Sequence, residues 1–316
     1  MPSETIWLDV PGARLAVEDE GAGPPIVLVH SAIVNRRSWD GLTPLLVAAG
    51  YRVIRYDMRG FGESTAEAVE FSPRADLLAV MDARGVGKAM VIGNSWGAMN
   101  ALDTVLESPD RFVALGWLGG GIGGFERGNN PQEQELLDAE GKAEEDGNPD
   151  LAADLDVRIW VDGVGQPPTR VPAPIREAVR AMDRELLTPG REFGNNTVLE
   201  PRASERLGDL AVPTLAVIGA LDTSGTRKAA RRLADAAPNV RLEEWPDVAH
   251  MIAMEQPERL AALLVEFLAP LPRWSCRACR RVAVGRGRGP LPRPDRRSLP
   301  SRCSRAPRAS RPALGS

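Results

Sequence analysis

The motif Gly93-Asn94-Ser95-Trp96-Gly97 constrains the fold more than any other stretch of the chain. An apolar run at residues 89–92 predicts a buried strand, and a helical pattern at residues 96–106 follows with no room for a loop. A strand that passes into a helix at one residue forces that residue into a strained backbone conformation. The two glycines allow the strand and the helix to pass closely, because glycine has no Cβ atom. We therefore predict that the Ser95 hydroxyl projects above the edge of a sheet, beside a helix N-terminus.

A serine hydroxyl needs a base to act as a nucleophile, and the chain has two histidines. His250 lies in a loop after the strand-like residues 240–245, and a helical pattern follows it. His30 ends the apolar strand pattern of residues 26–29. We predict that His250 is the general base and that His30 has the structural role of holding a loop beside the site.

The base needs a carboxylate to orient it, and two aspartates compete for this role. Asp222 follows the strand pattern of residues 213–218, whereas Asp247 lies in the same loop as His250. Asp247 is too close along the chain to reach round the ring and leave the other nitrogen free for Ser95. The sequence therefore predicts a catalytic triad in the order Ser95, Asp222, His250, which is the order found in α/β-hydrolases.

Strand patterns alternate with helix patterns over most of the chain, which predicts a doubly wound parallel sheet. Residues 39–48, for example, have helical spacing and predict a helix. Such sheets bind ligands at the carboxyl ends of their strands, where His30, Asp57, Ser95 and Asp222 fall. The strand patterns occupy residues 5–10, 14–19, 26–29, 52–56, 89–92, 113–118, 213–218 and 240–245.

The strand pattern stops at a glycine-rich stretch and resumes only at Pro213. Between these points, residues 132–146, 151–160 and 175–187 have helical spacing. We predict a core made of residues 1–120 and 208–272, and a helical cap, residues 121–207, inserted after the sixth strand.

Residues 273–316 differ sharply in composition from the rest of the chain. They carry a net charge of +12, from 13 arginines and one aspartate, which leaves −16 for the remainder. They also contain all three cysteines, Cys276, Cys279 and Cys303, but no histidine that would complete a zinc site. Because aliphatic residues are almost absent, we predict a disordered basic tail, without a nucleic-acid-binding motif.

Residues 1 to about 270 resemble α/β-hydrolases of the esterase, enol-lactonase and haloperoxidase type. The resemblance implies an eight-stranded, mostly parallel sheet with helices on both faces and a helical cap. One departure is that Ser31 replaces the glycine that usually follows the histidine in this family. The resemblance rests on Val29-His30-Ser31-Ala32, Asp57-Met58-Arg59-Gly60-Phe61-Gly62-Glu63-Ser64, Gly93-Asn94-Ser95-Trp96-Gly97 and Val248-Ala249-His250.

The resemblance also implies roles for residues around the triad. The backbone N–H groups of Trp96 and Ala32 correspond to the donors of the oxyanion hole. His30 and Trp160 are further candidates for the wall of the substrate pocket. The turn residues Asp57 and Arg59 are interpreted as structural.

These observations predict a serine hydrolase that cleaves a small ester or lactone through an acyl-enzyme, without a metal or organic cofactor. No 18-residue apolar run and no signal-peptide pattern is present, so we expect a cytoplasmic protein without a membrane partner. No oligomeric state is predicted.

Three alternatives remain open. The Ser-Trp-Gly stretch also resembles prolyl iminopeptidases, whose cap carboxylates hold a substrate amine. A cofactor-free perhydrolase or haloperoxidase would use the same triad, and a hydrolase-fold binding protein would have lost turnover. Epoxide hydrolases and haloalkane dehalogenases of this fold need an aspartate where this chain has Ser95. The peptidase remains an alternative because the predicted cap contains acidic residues, namely Glu133, Glu135, Glu140, Glu144 and Glu145.

Overall fold

The computed structural model describes residues 4–188 and 190–271. Within them, eight strands form one sheet. The strands are β1 (Ile6–Val10), β2 (Ala13–Gly21), β3 (Pro25–Val29), β4 (Arg52–Tyr56), β5 (Ala89–Asn94), β6 (Phe112–Leu118), β7 (Thr214–Gly219) and β8 (Val240–Trp245). Their spatial order is β1-β2-β4-β3-β5-β6-β7-β8. β2 is antiparallel to β1 and β4, and every other neighbouring pair is parallel, as predicted.

Ten α-helices accompany the sheet in the described residues. They are α1 (Thr43–Ala48), α2 (Pro73–Ala83), α3 (Trp96–Glu107), α4 (Pro131–Glu145), α5 (Pro149–Asp156), α6 (Ala173–Leu186), α7 (Ala203–Arg206), α8 (Ser224–Ala236), α9 (Ile252–Glu255) and α10 (Pro257–Leu268). Short 3-10 helices occupy Arg36–Trp39, Pro109–Arg111 and Leu207–Asp209, and a π-helix occupies Val157–Asp162.

Helices cover both faces of the sheet, which explains why its central strands are apolar throughout. Alternate residues of a strand point to opposite faces. Val27 and Val29 of β3 pack in one core cluster with α2, α3 and α8. Ile26 and Leu28 pack in another with α1 and α10. Every residue of β3, β5 and β7 is buried, because both faces of these strands are covered.

The helix predicted at residues 39–48 is shorter in the structure, where it spans Thr43–Ala48. The chain forms the 3-10 helix Arg36–Trp39 and then starts again at α1, whose first turn contains Pro44. Proline is favoured in the first turn of a helix, because its missing N–H group has no partner there in any case.

The segment between β6 and β7 contains α4, α5, the π-helix, α6 and α7. The sequence predicted no strand in this segment, but the structure has a two-residue strand there, Asn195–Asn196. It pairs in parallel with a second two-residue strand, Glu70–Phe71, which lies between β4 and α2. Two residues are too short to give an alternating pattern. The division into a core and a cap of residues 121–207 stays a prediction, and the predicted tail, residues 273–316, lies outside the described residues. No helix in residues 4–188 or 190–271 is long and apolar enough to cross a membrane.

Candidate active site

Ser95 stands at the junction of β5 and α3 in a conformation that side chains rarely adopt. Its φ of 57° is the only positive φ of a non-glycine residue in the described chain. The Ser95 N–H donates to the Leu118 carbonyl of β6 at 2.9 Å, while the Ser95 carbonyl accepts from Ala98 and Met99 of α3. The sheet and the helix therefore hold the strained residue from both sides, and a strained conformation persists only where the surrounding structure fixes it.

Gly93 and Gly97 lie where the backbone leaves no room for a Cβ atom. A Cβ atom at Gly93 would lie 2.3 Å from the Gly97 carbonyl oxygen. A Cβ atom at Gly97 would lie 2.3 Å from the Val29 carbonyl oxygen and 2.4 Å from that of His30. All three obstacles are backbone atoms, so they cannot rotate away. This geometry explains why both positions of the motif hold glycine.

Replacing Gly97 with alanine is expected to destabilise the protein by about 1–3 kcal/mol, because the added methyl group overpacks the strand–helix junction. Gly141→Ala is the matched control, since nothing lies within 4 Å of a Cβ atom at that position of α4. It should be neutral or stabilise by up to about 1 kcal/mol, because alanine favours the helix. Urea unfolding of both variants is the measurement. Equal stability of Gly97→Ala and the wild type would contradict the close approach.

The predicted base and acid lie in contact. His250 Nδ1 is 2.7 Å from Asp222 Oδ2, and their side chains are only 4% and 0% exposed. The Asp222 carboxylate also accepts from the Thr223 N–H at 2.6 Å, through Oδ1. Asp247, the competing acid, is exposed and pairs with Arg259 at 3.1 Å. Because Nδ1 faces Asp222, Nε2 is the His250 nitrogen left for a reacting group.

The loop that carries His250 is fixed by residues that sequence reasoning missed. The Asn94 side chain, one residue before Ser95, donates to the His250 carbonyl at 3.3 Å. Glu255 accepts from the Ala249 N–H at 3.0 Å and pairs with Arg170 at 2.6 Å. Asn94 had a detectable signal, since it is the polar residue directly before Ser95 in the motif. Glu255 had none, because its partners are set by tertiary contacts.

His30 is buried and both of its ring nitrogens bond to backbone. Nδ1 lies 2.8 Å from the Ser31 carbonyl oxygen, and Nε2 accepts from the Met58 N–H at 3.0 Å. Burial lowers the pKa of His30, against the opposing effect of the Asp57 carboxylate. Neutral His30 therefore joins the loop after β3 to the turn after β4. It does not line the cavity described below.

Of the two predicted oxyanion donors, Ala32 lies in the loop after β3 and Trp96 lies in the serine motif. Trp96 is the first residue of α3, so its N–H group has no carbonyl partner within the helix. Its ring packs on Phe61 with centroids 5.7 Å apart. Ala32 is exposed and lines the cavity. Ser31, which departs from the family pattern, has no positive φ, so this loop does not need glycine there.

A cavity of about 490 Å³ lies between the loops that follow β3 and β4 and helices α4–α6, and none of Ser95, Asp222 and His250 lines it. Trp160 of the π-helix lines it, and the indole ring packs against the His250 ring with centroids 4.6 Å apart and the ring planes tilted by 45°. The Trp160 carbonyl also accepts from the His250 N–H at 3.2 Å. The predicted pocket residue Trp160 therefore connects the cavity to the candidate base.

Asp57 and Arg59 are engaged in structural contacts, in line with their interpretation. Asp57 accepts from the Arg36 N–H at 2.8 Å and the Glu63 N–H at 2.9 Å, and its carboxylate pairs with the Arg36 guanidinium. Arg59 pairs with Asp76 at 2.6 Å. These bonds fix the turn after β4 beside the site.

The five glutamates of the prolyl iminopeptidase alternative lie in different environments. Glu133 accepts from the N–H groups of Asn130 and Ser224, and so joins α4 to α8. Glu135 and Glu145 are exposed. Only Glu140 and Glu144 line the cavity.

Comparison with known proteins identifies the family of the chain. The family model described as "Alpha/beta hydrolase family" matches residues 26–263. The chain therefore belongs to the alpha/beta hydrolase family. The structure of Est816, described as an N-acyl homoserine lactone degrading enzyme, superposes with a TM-score of 0.66 at 25% identity. The superposition covers 83% of this chain and 100% of that one.

Two sequence relatives differ in the share of the chain that they match. The "Putative non-heme bromoperoxidase BpoC" of Mycobacterium tuberculosis is 27% identical over 81% of this chain and 98% of its own length. The epoxide hydrolase of Caballeronia sordidicola is 36% identical over 109 residues, which is 33% of this chain and 33% of that enzyme. The chain thus matches only a third of the epoxide hydrolase.

Proposed function

We propose that the protein is a serine hydrolase that cleaves a small carboxylic ester or lactone through an acyl-enzyme. The contact between His250 and Asp222 carries this proposal, because it leaves one imidazole nitrogen for the hydroxyl of Ser95 at the strand–helix junction. The similarity to Est816 supports a lactone or ester as the substrate class.

The reaction would proceed in two halves. His250 accepts the proton of the Ser95 hydroxyl as its oxygen attacks the carbonyl carbon. The N–H groups of Trp96 and Ala32 stabilise the oxyanion, and His250 then protonates the leaving alcohol. In the second half, water attacks the acyl-enzyme by the same route. Asp222 orients the ring and stabilises its charged form throughout.

An epoxide hydrolase is the weaker candidate. The epoxide hydrolases of this fold attack with an aspartate, and position 95 is serine. Perhydrolysis is a second candidate, because the mycobacterial relative matches most of the chain and is named for bromoperoxidase activity. In that reaction hydrogen peroxide replaces water as the group that attacks the acyl-enzyme and yields a peracid.

A substrate panel tests the proposal. We expect turnover of short 4-nitrophenyl esters and of a simple lactone, and none of styrene oxide or prolyl-arylamide. Acetate with hydrogen peroxide and bromide tests for the perhydrolase. Hydrolysis of the epoxide or the arylamide without ester turnover would overturn the esterase proposal.

A further inference from the structure

The loop that carries His250 is bound by an arginine from a distant part of the chain. Arg170 lies in the segment between the π-helix and α6. Its Nη1 group donates to the Asp247 carbonyl, three residues before His250, at 2.9 Å. The same group pairs with the Glu255 carboxylate of α9 at 2.6 Å. Arg170 therefore reaches the loop both directly and through a second side chain.

Glu255 extends this contact to the residue next to the candidate base. Its Oε1 atom accepts from the Ala249 N–H at 3.0 Å, while its Oε2 atom accepts from Arg170. The Glu255 side chain is only 4% exposed. Burial raises the pKa of this carboxyl group, and the bond and charge of Arg170 oppose the rise. Because a buried carboxylate depends on its partner, the place of the Ala249 N–H depends on Arg170.

The remaining guanidinium nitrogens of Arg170 bind the end of the π-helix. Nε donates to the Asp162 carbonyl at 2.7 Å, and Nη2 donates to the Val161 carbonyl. The carbonyls of a last helical turn have no partner within the helix, so they are open to such a donor. The residue before them, Trp160, accepts from the His250 N–H and packs its ring against the imidazole. Arg170 thus bonds to both segments that meet at His250.

Only a guanidinium can make this set of contacts. It has N–H donors on three nitrogens in a rigid plane, whereas a lysine has its donors at one point. The Arg170 side chain is 15% exposed, and all three nitrogens are used. Its hydrogen bonds go to residues other than Ser95, Asp222 and His250, and it does not line the cavity. Any influence on the reaction must therefore act through the loop.

An apolar cluster supports the same junction. It includes Val161 of the π-helix, Val171 next to Arg170 and Met251 next to His250, all of them buried. Apolar packing is non-directional, so it brings the two segments together without defining their orientation. Hydrogen bonds from a charged, planar group are directional and add geometric specificity. The orientation of the loop therefore depends on Arg170 more than on the cluster.

We propose that Arg170, with its partner Glu255, positions His250 as the base of the proposed reaction. By fixing the loop against the π-helix, Arg170 sets the distance between the imidazole and the Ser95 hydroxyl. The base is then in place only while the segment between β6 and β7 stays docked on the loop. The effect on rate rests on the proposed hydrolase function, whereas the effect on the His250 ring does not.

Arg170→Ala tests the proposal in steady-state kinetics with 4-nitrophenyl butyrate. We expect kcat to fall between about 10- and 100-fold, since a misplacement of about 1 Å can cost a factor of about 100. KM should change little, because Arg170 does not line the cavity. Guanidinium chloride, far below denaturing concentration, should restore part of kcat in the variant and not raise it in the wild type. Sodium chloride at equal concentration controls for salt.

Arg176→Ala is the matched control and should keep the wild-type kcat. Arg176 bonds to the Asp162 side chain at the same end of the π-helix, at 2.7 Å. Glu255→Gln serves if Arg170→Ala does not fold, and it should also lower kcat. A glutamine has one acceptor oxygen, so it cannot accept from both Ala249 and Arg170. An unchanged kcat in Arg170→Ala or Glu255→Gln, an equal fall in Arg176→Ala, or a loss that guanidinium does not restore would overturn the proposal.

Long-range ¹H–¹⁵N NMR of the histidine rings separates this inference from the proposed reaction. The chain has two histidines, and Asp222→Asn identifies the His250 signals because it removes the carboxylate at Nδ1. Arg170→Ala should shift these signals, and Arg176→Ala should leave them in place. Such a shift in protein that hydrolyses no ester would overturn the hydrolase and leave the positioning role standing. Unshifted His250 signals in Arg170→Ala would overturn the positioning role, whatever the wild type hydrolyses.

Discussion

Ser95→Ala is expected to lower ester turnover by roughly 10⁴-fold or more while the fold stays intact. The loss is large because the substitution removes the atom that forms the acyl-enzyme. The fold should survive because alanine occupies the same positive-φ position at a similar cost, and the backbone bonds to Leu118, Ala98 and Met99 do not involve the side chain. Steady-state kinetics with 4-nitrophenyl butyrate and a thermal melt measure both effects.

The matched control is Ser108→Ala, at the other end of α3, where the hydroxyl caps no helix N–H. That variant should keep wild-type turnover. Retention of more than about a hundredth of the wild-type rate by Ser95→Ala would show that another residue is the nucleophile, since loss of a triad member costs far more.

Asp222→Asn is expected to lower turnover by about 10⁴-fold with little change in stability. The amide oxygen can still accept from the Thr223 N–H, which turns the NH₂ group toward His250 Nδ1. An NH₂ group in that place requires a hydrogen-bond acceptor at Nδ1, so the ring proton moves to Nε2. The nitrogen left for Ser95 then carries a proton and cannot act as a base.

Asp247→Asn supplies the control, because this exposed carboxylate lies in the same loop but pairs with Arg259. It should change the rate little. If Asp222→Asn left the rate unaffected, the orienting acid would be Asp247 or a glutamate, and the contact with His250 would be structural.

Strong local patterns allowed much of the fold to be predicted from the sequence. β4 and β8 begin and end at the predicted residues. The strained conformation of Ser95 was predictable for a similar reason. The strand pattern runs into the helix pattern without room for a loop, so the residue at the junction must make the turn. The contact between Asp222 and His250 follows from both lying after strands that are neighbours in the sheet.

The cavity could not be predicted in the same way, because helices from distant parts of the chain form it. Asp183 follows Val179 by four residues on the buried face of α6, so its burial was readable. Its position opposite Asp156 was not, since this depends on how α5 and α6 pack. The π-helix that carries Trp160 was also missed, because its residues continue the apolar pattern of α5.

Reaction with a fluorophosphonate, followed by peptide mass spectrometry, tests the central claim most directly. The reagent phosphonylates a serine only where a base and an oxyanion hole activate it. We predict one adduct per chain, on the peptide that contains Ser95, with loss of ester turnover in proportion to labelling. An adduct on another residue, or an unlabelled Ser95 in protein that hydrolyses esters, would contradict the assignment of Ser95 as the nucleophile.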